Sequence, residues 1–76
     1  MSLTVYQYRS PIGIFKILSE PSECELWFKG ELRGTYRTAL AAASNALTTV
    51  AGEFDSVTLE DVDVPADIEK WEIVAG

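Results

Sequence analysis

Seventy-six residues, 47% of them hydrophobic and 24% charged, suffice for one domain with a thin core and are too apolar for a disordered chain. Twelve acids against six bases give a net charge of −6, opposite in sign to the basic patch through which most nucleic-acid-binding domains neutralise phosphate. A single cysteine, Cys24, excludes a disulfide within the chain, and no apolar run approaches the ~20 residues of a membrane helix, so the chain reads as soluble and cytoplasmic, with no membrane partner.

Leu3 to Tyr8 alternates weakly and reads as a first, edge strand. Ser10-Pro11 ends it, because proline removes a ladder donor and restrains its predecessor. Gly13 to Ser19 reads as a second strand, rich in branched and aromatic residues. Glu20-Pro21-Ser22 is a turn, and residues 24–28 and 31–37 form a hairpin around Lys29-Gly30. Directly opposed residues share a sheet face, so the loop length decides which side chains sit together. A two-residue loop would oppose Leu26 to Arg33 and Phe28 to Glu31. A three-residue loop over Phe28-Lys29-Gly30 opposes Leu26 to Leu32 and Glu25 to Arg33. It also sets Gly30 where a type I turn with a bulge takes a left-handed residue, and it is the loop expected. One face then carries Cys24, Leu26, Leu32 and Tyr36, with Gly34 leaving room for a close neighbour. The other carries Glu25, Trp27, Glu31, Arg33, Thr35 and, at its end, Arg37.

Thr38 is a suitable N-cap and Gly52 stands where a left-handed residue closes a helix, which predicts a helix from Ala39 to Ala51. Leu40, Ala43, Leu47 and Val50 trace its inward stripe, leaving Ala41, Ala42, Ser44, Asn45, Thr48 and Thr49 outside. Nothing from Thr38 through Gly52 is charged. Beyond it, Val57 and Leu59, then Val62 and Val64, alternate among acids. Pro65 opens a short helical turn with Asp63 as its cap, Ile68 and Trp71 share a face, and Trp71 to Val74 finishes as a strand. The expected architecture is a single α+β domain over 1–76, with the sheet in 3–37, the helix in 38–52 and an acidic C-terminal segment in 53–76. Its sheet is three- or four-stranded and mainly antiparallel, with one α-helix packed on one face. Charge divides at the same place: residues 1–37 hold five bases against four acids, and residues 38–76 hold Lys70 against eight acids.

The absence of histidine removes every histidine-based triad, general base and zinc site. Glu23 and Glu25 oppose a thiolate at Cys24, which reads as a buried core residue. Glu60, Asp61 and Asp63 lack the glycine-pivoted spacing of a calcium loop, and Gly30, Gly34 and Gly52 lack that of a phosphate loop. No cofactor, metal site or enzymatic activity is expected. What the sequence does offer is a partner surface: Trp27 with Arg33, Arg37 and Ile14 on a sheet face, and Ala42 on the outer side of the neutral helix. A face holding Trp27, Ile14 and Leu18 is too apolar to stay wet, so either the C-terminal segment covers it through Ile68 or Trp71, or a partner does.

The stretch from Gly13 to Val50 resembles the plant ethylene-response and phage-integrase type of DNA-binding domain, in which three strands pack on one helix. The likeness rests on Gly34-Thr35-Tyr36-Arg37, the Thr38 cap and the Ala41-Ala42-Ala43 run, and covers about half the chain. It implies a DNA-reading sheet in which Trp27, Arg33 and Arg37 correspond in kind, with Glu25 and Glu31 among them. The whole chain looks more like small uncharacterised bacterial or phage-encoded domains with a Leu-Trp-Phe strand and a Gly-x-Tyr strand end before a helix, families with no assigned activity. The expected function is a small non-enzymatic binding or self-association module with a protein partner or a second copy of itself. A sheet-reading nucleic-acid-binding domain and an acidic nucleic-acid mimic are the alternatives.

Overall fold

Three tight reversals fold the first half of the chain into a meander, and each is set by local chemistry. In the computed structural model, which describes residues 3–75, the strands are β1 (Thr4–Ser10), β2 (Gly13–Ser19), β3 (Cys24–Phe28) and β4 (Glu31–Tyr36). Helix α1 (Ala39–Ala51), a single turn α2 (Ser56–Leu59), a 3-10 turn (Ile68–Lys70) and strand β5 (Glu72–Ala75) follow. The sheet is antiparallel throughout, in the order β4-β3-β2-β1-β5. It therefore has five strands rather than three or four, and β1 is interior rather than an edge. The difference is β5, which returns from the far end of the chain to pair with β1.

Between β1 and β2, Ser10 opposes Gly13, leaving Pro11-Ile12 as the connection, where proline's missing N–H costs no ladder bond. Gly13 has φ +146°, and a Cβ there would meet the Lys29 side chain at 2.9 Å and the Phe28 ring at 3.0 Å. Only glycine suits both demands.

The β3–β4 hairpin departs from the expected three-residue loop. Phe28 opposes Glu31, and the two residues between them, Lys29 (φ 53°) and Gly30 (φ 79°), are both left-handed, the pattern of a type I′ turn. The clash of apolar and charged positions that argued against a short loop is relieved further along the strand. Trp27 opposes Leu32 but Leu26 opposes Gly34, so Arg33 is the extra residue of a β-bulge. The bulge turns Leu32 to the Trp27 face and Arg33 to the opposite one. There the Arg33 guanidinium lies 5.5 Å from the Phe28 ring centroid and forms a two-pronged ion pair with Glu53, just past α1.

The core lies between the sheet and α1. Phe15, Ile17, Cys24, Leu26 and Phe28 face Ala42, Ala43, Ala46 and Val50, with Ile12, Val62 and Trp71 closing the margins. Fully burying a side chain such as Phe15 or Leu26 stabilises the fold by about 1.5–3 kcal/mol. The helix is rotated from its expected setting: Leu40 is 55% exposed and Ala42, expected outside, is 0% exposed. Small alanines meet the bulky phenylalanines and leucine of the sheet, which lets the two layers approach closely. Thr38 caps α1 as expected, its hydroxyl accepting from the Ala41 N–H at 3.0 Å. Gly52, by contrast, is right-handed (φ −65°), and the chain leaves α1 through bonds from the Glu53 N–H to Val50 O and from the Phe54 N–H to Ala51 O.

The C-terminal segment is laced onto the helix side of the sheet. Asp55 accepts from the Thr58 N–H at 2.7 Å and starts α2, so Val57 and Leu59 are helical rather than extended. Asp67, rather than Asp63, caps the next turn, which lies beyond Pro65. The Trp71 indole N–H donates to Pro65 O at 2.9 Å, and its ring sits 5.8 Å from Tyr8 and 6.3 Å from Phe15. Tyr8 in turn donates its hydroxyl to Asp63 O at 2.9 Å.

Candidate functional site: the open face of the sheet

Side chains alternate between the faces of a strand, so the register maps the side away from α1. One row reads Val5, Leu18, Glu25 and Thr35 across four strands; the next reads Gln7, Lys16, Trp27 and Leu32; Arg9 and Ile14 form a third. At the centre is a groove of about 620 Å³ lined by Ile14, Lys16, Leu18, Trp27, Lys29 and Gly30. Trp27 is half-buried, while Ile14 and Leu32 are 42% and 50% exposed. The Trp27 indole N–H donates to Glu25 Oε1 at 3.2 Å, which fixes the ring and occupies that carboxylate. Lys16 and Arg9 are exposed on the same face, and among the described residues the one ion pair is Arg33–Glu53, on the other side.

Among the described residues, none of the C-terminal segment lines this groove. Ile68 and Trp71, the expected covers, both pack into the core on the α1 side. Of the residues expected to form a partner surface, the fold brings Trp27 and Ile14 together. Arg33 is diverted by the bulge, Arg37 is exposed beyond the end of β4, and Ala42 is buried on the sheet-facing side of α1. Leu32 and Lys16 join the site instead. Leu32 reaches this face because the bulge sets Gly34, not Leu32, opposite Leu26; a Cβ at Gly34 would come within 3.2 Å of the Tyr36 ring.

The outer side of α1 is less promising. It is uncharged, as expected, but its polar side chains bond back to the helix itself. Ser44 donates to Leu40 O, Asn45 to Ala41 O and Thr49 to Asn45 O, at 2.9, 2.8 and 2.7 Å. The hydroxyl hydrogens of Ser44 and Thr49 and one amide hydrogen of Asn45 are thereby spent within the helix.

Cys24 is buried, with its Sγ 3.3 Å from Ser19 Oγ, as expected of a core residue. Among the described residues no group of three or more metal-ligating side chains converges, and no helix is long and apolar enough to cross a membrane. The Asp55 carboxyl titrates below its usual value because its charged form accepts the Thr58 N–H bond, which is a capping role. The open face can grip through shape, apolar contact and two cations. No protein-family model, curated protein or solved structure matches the chain, so the reading of this face rests on its own geometry.

Proposed function

We propose that this chain is a small non-enzymatic binding module that takes a segment of a partner protein on the open face of its sheet, with Trp27 at the centre. The observation that carries this reading is the uneven use of apolar side chains. Trp71, Ile68 and Val62 all serve the α1 side, while Trp27, Ile14, Leu18 and Leu32 are left on the other. A contiguous apolar patch around a tryptophan, rimmed by charge, is the usual anatomy of a protein-binding surface. The groove suits an apolar anchor, and Lys16 and Arg9 suit a carboxylate beside it.

Nucleic acid fits less well. Arg33, which the resemblance to sheet-reading domains would require, turns to the opposite face, and Glu25 holds the indole edge with a negative charge that a phosphate backbone would meet. The test is selection of peptides from a random library against the full chain, with Trp27→Glu as the counter-selection. Peptides with an apolar residue next to an acidic one should be enriched on the native chain and lost on the variant. Recovery of peptides that bind both chains equally would remove the proposal, as would stronger binding of an oligonucleotide than of any peptide.

A further inference from the structure

Both edges of the sheet are blunted against strand addition. At β4 the Arg33 bulge and the charges of Glu31 and Arg33 do this; at β5 a register shift against β1 and the charge of Glu72 do it. The open face is left to hold a partner, and its lining restricts what shape that partner takes. The described side chains around the groove hold no hydrogen-bond acceptor. Ile14 and Leu18 have no polar atom, the Trp27 indole N–H is engaged by Glu25, and Lys16 and Lys29 only donate. The Lys29 ammonium also lies towards the other side, 5.5 Å from the ring centroids of Phe28 and Phe54. Beneath them, the backbones of β2 and β3 are paired with a strand on either side. An extended segment laid here would press N–H groups against a surface that cannot accept them, losing their bonds to water without replacement. A helix brings its backbone hydrogen bonds with it.

We propose, on the reading of the open face as a protein-binding surface, that its occupant is an amphipathic helix of the partner. The apolar stripe of that helix lies on Ile14, Leu18 and Trp27, and a carboxylate beside the stripe meets Lys16. Charge complementarity supplies the carboxylate. Lys16 is exposed between Ile14 and Leu18 on β2, Arg9 is exposed opposite Ile14, and among the described residues neither is in an ion pair. Of the acids on this face, Glu25 is bonded to Trp27, and Glu72 stands at the β5 margin with Gln7 between it and Lys16. The spacing suits a helix too. Ile14 and Leu18 are four residues apart on β2, ~13 Å at the rise of a strand, which is about two helical turns. A lysine between them therefore falls beside the middle of the stripe.

Two libraries of peptides, each about 14 residues long, test this when selected against the full chain. One sets random residues along one face of an alanine- and glutamine-based helical frame; the other has the same composition with a central proline. Binders lost on Trp27→Glu or on Ile14→Glu are kept, and Ile14 is exposed, so its variant should hold the native far-ultraviolet circular dichroism. The helical library should supply these binders, with glutamate or aspartate beside an apolar stripe. A proline placed on their outward side should weaken them about 100-fold. Lys16→Glu should weaken them about fivefold at low salt, and exchanging their acids for lysine should restore binding to that variant. Equal recovery of such binders from the proline library would overturn the helix and leave the open face as a protein-binding surface. Binders indifferent to Lys16→Glu would overturn the carboxylate. Neither library yielding a binder sensitive to Trp27 or Ile14 would remove the helix and the protein-binding surface together.

Discussion

The two tryptophans of this chain sit on opposite faces of one sheet, and their surroundings differ in almost every respect. Trp71 is 4% exposed, bonded through its indole N–H to a backbone carbonyl and set among Tyr8 and Phe15. Trp27 is half-buried, bonded to a neighbouring carboxylate and faces an open groove. What separates them is the supply of covering elements. Helix α1, α2, the 3-10 turn and Phe54 all pack on one side, and Trp71 joins the core there. Among the described residues, the elements outside the sheet are spent on that one side. One well-built core is about all that such a domain can complete.

The sharpest way to break this contrast is to truncate each tryptophan in turn. Trp71→Ala should cost about 3–5 kcal/mol, the usual range for emptying a buried aromatic site, and so consume most of the stability of a small domain. Trp27→Ala should cost about 1 kcal/mol, near the average for point substitutions. Urea unfolding followed by circular dichroism measures both, and equal losses would mean that the two faces are equally structural.

A smaller effect comes from the bulge that sends Arg33 to the α1 side. Glu53→Gln removes the charge that Arg33 meets there and should cost about 0.2–1 kcal/mol, since Glu53 is largely exposed. The loss should shrink as salt is added. An unchanged unfolding midpoint at low salt would show that the ion pair does not hold the chain after α1 to β4.

The smallest effect belongs to Asp55, which is fully exposed on α2. Its carboxyl titrates lower in the folded chain than the ordinary 3.8 because the charged form accepts the Thr58 N–H. Its stabilising contribution is therefore complete above the unfolded value, near pH ~4, and is lost as pH falls through the lower folded value. A carboxyl carbon titration by NMR should place its midpoint below 3.8, and Asp55→Asn should flatten the acid limb of stability. A midpoint at or above 3.8 would remove the cap.

Much of the first half of the fold was legible because local chemistry decides it. The Pro11 break, the β2 and β3 strands, the Thr38 cap and the extent of α1 follow from propensity and periodicity. The β3–β4 register was not, because two irregularities add to each other. The tight left-handed turn at Lys29-Gly30 moves β4 one residue from the expected pairing, and the bulge at Arg33 moves it one more in the same direction, so that Leu26 opposes Gly34. Counting apolar opposites alone favours a single odd loop that serves Leu26 but misplaces Leu32 and Arg33. The helix rotation was missed for a related reason. Leucine at position 40 outranks alanine on any hydrophobic scale, yet the sheet already supplies bulk in Phe15, Leu26 and Phe28 and needs small partners. Docking of Trp71 was legible, but its face was not, because that is set by distant partners, Tyr8, Phe15 and the Pro65 carbonyl. The open face was accordingly half-readable: Trp27 and Ile14 share it, whereas the bulge turns Arg33 to the other side.

The pairing of β5 with β1 has a consequence for the order of assembly. Three of the four strand pairings join neighbours in sequence, so each closes a short loop at little entropic cost. The fourth brings Glu72 against Gln7 across nearly the whole chain. The meander and α1 can thus form while β5 is still unattached, and β1 then spends the early part of folding as an edge. By the same reasoning β5 is the first strand to detach from the native state, through an opening smaller than global unfolding. Amide exchange along β1 should record it, with the N–H groups directed at β5 exchanging well before those directed at β2.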